Sequence, residues 1–133
     1  MKKTILQTPN APAPIGPYSQ AVLIEHHGMK TLYTSGQIAI NPKTGALITD
    51  DIEQETHQVM QNLQAVLKSA KMDFTNAIKT GIFLSDMELF PKVNKVYATY
   101  FEEDIAPARE TVEVANLPKY VNVEISIIAV SEA

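Results

Sequence analysis

The first residue that could bind a ligand is Arg109, which follows Pro107 at the start of a short predicted strand. Its planar guanidinium group presents a fork of N–H donors that matches a carboxylate with two hydrogen bonds. One interpretation is that Arg109 holds a small anionic substrate. The alternative is a surface arginine that forms an ion pair with Glu110 or Glu113, and this stretch of sequence leaves both interpretations open.

The second candidate is Glu124, in the middle of the last predicted strand. Side chains alternate along a strand, so Glu124 points away from the face that Val123 and Ile125 share. A carboxylate among apolar neighbours is costly unless it is paired or hydrogen-bonded. Glu124 therefore either forms an ion pair, with a lysine or with Arg109 across a subunit interface, or positions a water and relays a proton.

The composition disfavours several classes of chemistry. The chain has no cysteine, which excludes disulfides, thiolate nucleophiles and Cys-zinc sites. Its three histidines, His26, His27 and His57, form no metal-binding pattern, so no metal is expected. No phosphate loop, GxSxG or HExxH motif is present. The formal net charge of −4 argues against broad nucleic-acid binding, which needs a basic face.

The length of 133 residues predicts a single domain, residues 1–133. The N-terminal lysines are followed by no apolar run, and no segment approaches 18 apolar residues. We therefore expect neither a signal peptide nor a membrane span. The expected location is the cytoplasm. The proline-rich segment 9–17 favours a stiff extended loop, which would present Tyr18 either as the wall of a binding site or as part of a surface arm.

The hydrophobic pattern predicts a mixed sheet with two helices on one face. Glu53 and Glu55 are placed favourably near the start of the first helix. The last strand is apolar on both faces in its second half, and an uncovered face of this kind predicts a homo-oligomer packed sheet to sheet. Strands are predicted at 21–24, 31–35, 77–84, 109–115 and 121–130, with a further short candidate at 4–7, and helices at 52–71 and 91–102.

A set of short motifs, in this order, resembles the Rid family, also called the YjgF family. The resemblance covers essentially the whole chain. It implies a chorismate-mutase-like α+β fold, homotrimers, and ligand sites in the clefts between subunits. The motifs are APIGPYSQ at 13–20, TSGQ at 34–37, NPKTG at 41–45, VN at 93–94, PAR at 107–109, VEVA at 112–115, LPK at 117–119 and VEI at 123–125.

The resemblance further implies the activity of the RidA branch, which hydrolyses reactive enamine and imine intermediates to 2-keto acids and ammonia. The substrates include 2-aminoacrylate, 2-iminopropanoate and 2-iminobutanoate, and no metal or organic cofactor is used. The family's site residues fall on Arg109, Glu124 and Tyr18 as the catalytic group, with Arg109, Thr111, Ser35, Gly36 and Asn94 in substrate binding.

Two positions depart from the family pattern. Thr111 stands where RidA proteins often have cysteine, and Glu110 stands where a small serine or threonine is common. The alternative function is non-catalytic binding or sensing of small 2-keto or hydroxy acids in amino-acid metabolism. A nuclease or translation inhibitor, roles attached to relatives, agrees least with the acidic charge balance.

Overall fold

A computed structural model describes all 133 residues and shows one six-stranded sheet with two helices. The strand order across the sheet is β1-β2-β3-β6-β4-β5. This mixed α+β architecture confirms the predicted fold class. The strands are β1 (Lys2–Leu6), β2 (Ala21–His26), β3 (Met29–Thr34), β4 (Ala77–Leu84), β5 (Ala108–Glu113) and β6 (Val123–Glu132), and the helices are α1 (Ile52–Ser69) and α2 (Phe90–Ala98).

The connections explain the mixture of strand directions. β4 and β5 are parallel and are joined through α2, whereas every other neighbouring pair is antiparallel. α1 joins β3 to β4, which flank β6 and run in the same direction. The hairpin between β2 and β3 turns at His27 and Gly28, with φ angles of 49° and 77°. Positive φ at both central residues is what a type I′ turn requires, and this turn matches the twist of the strands.

Both helices pack on one face of the sheet, as predicted. The apolar stripe of α1 and that of α2 belong to a single buried cluster with the inward side chains of β4 and β6. Neither helix has the length and hydrophobicity needed to span a membrane. The fully buried members of this cluster include Val59, Met60, Leu63, Val66, Leu67, Ile82, Leu84, Val93 and Ile125.

The opposite face of the sheet is largely open within one chain. The strand register places Ile5, Tyr33 and Val112 on this face, and their exposed fractions are 54%, 48% and 42%. The predicted uncovered apolar face is therefore present. Hereafter we call it the open face, and the face under α1 and α2 the helix face.

Element boundaries differ from the predictions by a few residues. α2 ends at Ala98 rather than Glu102, and the aromatic residues that follow still pack against the core from a turn. β6 begins at Val123 rather than Val121, because Val121 caps the 3-10 turn Pro118–Tyr120 and its N–H donates to the carbonyl of Pro118. The short N-terminal strand is present and pairs with β2 along its whole length.

Candidate functional site

Arg109 lies at the start of β5, where α2 holds its guanidinium group. Nη1 of Arg109 donates a hydrogen bond of 2.7 Å to Oδ1 of Asn94. The guanidinium carbon lies 5.3 Å from the ring centre of Phe90 and 5.1 Å from that of Tyr97, within the range of cation–π attraction. A guanidinium has five N–H donors, so most of them remain available to an anionic ligand. The arginine is thus oriented without being neutralised.

No carboxylate of the chain forms an ion pair with Arg109, so the alternative of pairing with Glu110 or Glu113 is wrong. Glu110 lies on the open face and accepts a hydrogen bond of 2.8 Å from Nζ of Lys79. This bond and the lysine charge lower the pKa of Glu110. Glu113 accepts a hydrogen bond of 2.8 Å from the backbone N–H of Met87. Both carboxylates therefore have other partners.

The backbone of β5 adds a donor close to Arg109. β5 is an edge strand, and the N–H of Val114 donates to the carbonyl of Leu84 on β4 at 2.9 Å. N–H directions alternate along a strand, so the N–H of Thr111 points outward from the sheet edge. Thr111 also shares the helix face with Arg109, as the sequence predicted. The guanidinium and this N–H border the same free edge.

A second group of predicted site residues lines a pocket on the open face, with a volume of about 300 Å³. Tyr18, Ser35, Gly36 and Glu124 all contribute to its wall. Much of the remaining wall is apolar, and Glu124 is the only charged residue that lines the pocket. The apolar part comes from Pro12, Ala13, Ile15, Ile38, Ile40 and Pro118.

Local hydrogen bonds hold the polar groups of this pocket in place. The hydroxyl of Ser35 donates to the carbonyl of Ser19, and the N–H of Ser35 donates to the carbonyl of Gln20 at 2.9 Å. The Tyr18 hydroxyl accepts a hydrogen bond of 3.3 Å from the N–H of Ile15, so its own proton remains free to donate. The two chain segments that follow the proline-rich loop and β3 are thereby tied together.

Glu124 is half-buried and makes no hydrogen bond or ion pair within the chain. Burial raises the pKa of its carboxyl group, because desolvation disfavours the charged form. Gly36 permits the position of this carboxyl: a Cβ added at Gly36 would lie 2.7 Å from Cδ and 2.8 Å from Oε2 of Glu124. Any larger residue at position 36 would therefore displace this carboxylate from its present position.

The two groups of site residues are separated by the sheet. Arg109 pairs in register with Thr80, which pairs with Ile127 on the helix face. Glu124 pairs with Phe83 on the open face. The structure thus brings Arg109 and Asn94 together, and it brings Tyr18, Ser35, Gly36 and Glu124 together. It does not bring the first group to the second within one chain.

From the sequence, Glu55 is predicted only to be a favourable charge near a helix start. The structure places this carboxylate in the interior, with an exposed fraction of 0%. It accepts hydrogen bonds from the backbone N–H groups of Asn122 and Val123 and from the Asn122 side chain. A signal was available, because Glu55 lies four residues before Val59 on the apolar stripe of α1.

The histidines are dispersed, and no group of three or more His, Asp or Glu side chains is arranged to hold a metal ion. His26 and His27 lie at the β2–β3 hairpin. His57 is exposed on α1, where Nδ1 forms a hydrogen bond of 2.8 Å with the hydroxyl of Tyr100.

Comparison with known proteins gives full-length matches. Residues 8–131 match the family model described as Endoribonuclease L-PSP. A protein of Rattus norvegicus named 2-iminobutanoate/2-iminopropanoate deaminase is 44% identical over 128 residues, which are 96% of this chain and 90% of the rat protein.

Two crystal structures extend this similarity to the fold. YyfA from Yersinia pestis, described as a member of the conserved Rid protein family, is 48% identical with a TM-score of 0.88, over 96% of this chain and 98% of YyfA. TdcF from E. coli, solved with bound serine, is 36% identical with a TM-score of 0.86, over 97% of this chain and 99% of TdcF.

Proposed function

The chain belongs to the Rid (YjgF) family, whose family model is described as Endoribonuclease L-PSP, and on this premise we propose that it hydrolyses small enamines and imines. The substrates would be 2-aminoacrylate with its tautomer 2-iminopropanoate, and 2-iminobutanoate. The products would be 2-keto acids and ammonia. The rat relative's name supports this assignment. The main structural support is Arg109, which Asn94 orients while most of its donors stay free for a carboxylate.

The active site in this proposal forms between two copies of the chain in a homotrimer. Arg109 and Glu124 face opposite sides of one sheet, so a single copy cannot place both against one small substrate. The exposed apolar residues of the open face favour burial against a second copy. The edge of β5 with Arg109 in one subunit would then meet the pocket with Glu124 in its neighbour.

Substrate binding in this proposal depends on the carboxylate that all these imino acids share. Arg109 would donate two parallel hydrogen bonds to it, and the outward N–H of Thr111 would donate a third. Binding at three donors fixes the imine carbon relative to the pocket wall. Lys79 neutralises Glu110 on the other face, so the acid that follows Arg109 does not compete for the guanidinium.

Hydrolysis would then proceed by addition and elimination. Glu124, helped by the Tyr18 hydroxyl, holds a water and accepts its proton as the oxygen attacks the protonated imine carbon. The resulting carbinolamine receives that proton on nitrogen. As Glu124 then takes the proton of its hydroxyl group, the C–N bond breaks to release ammonia and form the keto group. The protonated imine is already electrophilic, so this route needs neither a metal nor an organic cofactor. Ser35, Gly36 and Asn94 shape the surroundings.

A coupled assay tests the proposal. A threonine or serine dehydratase supplies the imine in situ, and keto-acid release is followed with and without this protein. Arg109→Ala is expected to lower kcat/KM by about 100-fold or more, because two charged hydrogen bonds are lost. Lys92→Ala, which removes an exposed and unpaired charge from α2, serves as the control. Full activity in Arg109→Ala would refute the assignment.

A binding role without catalysis is the second candidate. TdcF holds serine in its crystal structure, which supports an amino-acid-like ligand for this chain as well. In that case calorimetry would detect binding of 2-ketobutyrate that depends on Arg109, while imine hydrolysis would not be accelerated. Both functions depend on Arg109, and only hydrolysis depends on Glu124. Replacing Glu124 would therefore abolish the activity of an enzyme, whereas a pure binding protein shows no hydrolysis with or without Glu124.

A further inference from the structure

Glu55 is a charged side chain fully enclosed by the fold. Oε2 accepts hydrogen bonds of 2.7 Å from the N–H of Asn122 and 3.1 Å from the N–H of Val123, and Oε1 accepts one of 2.8 Å from Nδ2 of Asn122. A carboxylate without such donors would be very costly to bury. The three donors all belong to the residues at the start of β6, and the mechanism above uses none of them.

The segment that Glu55 holds leads directly into Glu124. The carbonyl of Asn122 also accepts a hydrogen bond of 3.0 Å from the N–H of Ser85, the residue that follows β4. Its side-chain oxygen accepts one of 3.2 Å from the Ser85 hydroxyl. The start of β6 is thus attached to α1 through Glu55 and to β4 through Ser85, and the next residue after this double attachment is Glu124.

Accurate placement matters for Glu124 more than for other residues of β6. Its carboxyl group has no hydrogen-bond partner of its own within the chain, and it lies so close to Gly36 that a methyl group would not fit between them. Its position is therefore set by the backbone that bears it. A small displacement of the first residues of β6 would therefore move the Glu124 carboxyl group along the pocket wall.

We propose that Glu55 is a positioning residue for Glu124: its carboxylate anchors the two residues before Glu124 to α1, and so holds the Glu124 carboxyl beside Gly36. The inference rests on the proposed function, since it assigns Glu55 a part in placing the group that handles the proton. The Glu55 carboxylate forms hydrogen bonds only with Asn122 and Val123, whereas Arg109 is held by Asn94, so we expect little effect of Glu55 on binding of the substrate carboxylate.

The test compares Glu55→Ala with Glu55→Gln, because both remove the charge and only the first removes the anchor. The glutamine oxygen can still accept the two backbone N–H groups, and its NH₂ is accommodated if the Asn122 amide reverses, since the Ser85 hydroxyl can donate or accept. We expect Glu55→Ala to lower kcat by about 10- to 100-fold with little change in KM, as misplaced catalytic groups do. Glu55→Gln should keep most of kcat.

A second pair of variants decides the matter if Glu55→Ala does not fold. Asn122→Asp alone sets two carboxylates against each other and should lower kcat. Combining it with Glu55→Gln restores a donor between the two side chains and should recover kcat. Glu53→Ala removes a partly exposed glutamate of α1 that pairs with Lys95, and this control should leave kcat unchanged.

Two results would overturn the proposal. One is a folded Glu55→Ala protein with the kcat of the parent, or with the same loss as Glu55→Gln. The other is a double variant whose kcat is no higher than that of Asn122→Asp.

If the parent itself lacks deaminase activity, the proposed function fails, and the placement of Glu124 is then measured by ¹³C NMR titration of its carboxyl group. Glu55→Ala should lower the titration midpoint of Glu124 relative to Glu55→Gln, because a displaced carboxyl group is less buried. Equal midpoints in the two variants would refute the role of Glu55 as an anchor.

Discussion

Arg109 and Glu124 point to opposite faces of the same sheet, although they are the two residues proposed to act on one substrate. Arg109 shares the helix face with Thr80 and Ile127, and Glu124 shares the open face with Phe83. A small imino acid cannot reach through a sheet. A catalytic role for both residues therefore requires a site made by two copies of the chain.

Complementation between inactive variants tests this arrangement. Arg109→Ala and Glu124→Gln should each be inactive alone. When the two are mixed after unfolding and refolded together, some interfaces combine an intact Arg109 from one subunit with an intact Glu124 from its neighbour. Random assembly should restore roughly a quarter of the parental activity, since each partner is intact in half the chains. No recovery in demonstrably mixed oligomers would place both residues in the same subunit's site.

Substitution of Gly36 tests the close contact with Glu124. In Gly36→Ala the new methyl group would lie 2.7 Å from the Glu124 carboxyl carbon, so this flexible side chain must rotate away. We expect a loss of kcat with little change in the free energy of unfolding, because the end of a side chain moves rather than the backbone. Gly16→Ala is the control, since its methyl group would meet Tyr18 at an ordinary 3.6 Å. Equal kcat in both variants would contradict the role of this contact.

Asn94 should control how well Arg109 binds anions. Asn94→Ala removes the 2.7 Å hydrogen bond that orients the guanidinium, and we expect the Kd for 2-ketobutyrate to rise about tenfold. Asn94→Asp should raise it further, because the new carboxylate competes with the ligand for the same cation. Calorimetric titration of both variants with 2-ketobutyrate measures the two Kd values. Tighter binding by Asn94→Asp than by Asn94→Ala would refute this reading of the site.

The raised pKa of Glu124 predicts a pH effect on stability. Its folded-state pKa lies above the unfolded value, so the folded protein binds the proton more tightly. Stability is lost as pH rises through the interval between the two pKa values, and the penalty is fully present above the folded pKa. Glu124→Gln removes the penalty. Urea unfolding should show a larger stabilisation by this variant near pH 7 than below about pH 4, and the reverse order would contradict the burial argument.

The pH profile of the reaction gives an independent reading of the same group. Glu124 must be ionised to accept a proton from water, so kcat should fall as the pH drops through its raised pKa. The fall should begin at a higher pH than for an ordinary exposed glutamate. If kcat instead stays constant down to the pH range in which an exposed glutamate titrates, another group accepts the proton.

Much of this protein follows from the residue pattern alone. Alternation along single strands correctly predicted that Arg109 and Thr111 share a face, and that Glu124 lies opposite Val123 and Ile125. The two-sided apolar character of the last strand correctly predicted an uncovered face. These are local properties, because the side-chain periods of strands and helices are set by backbone geometry within each element.

Tertiary structure decided how these local faces relate to one another. Whether Arg109 and Glu124 share a side depends on the register across β5, β4 and β6, and a slip of one residue in any pair would reverse the answer. Three contacts join residues that are distant in sequence. Arg109 and Asn94 are 15 positions apart, Gly36 and Glu124 are 88 apart, and Glu55 and Asn122 are 67 apart. Such contacts depend on how the elements dock, which no period within a single element specifies.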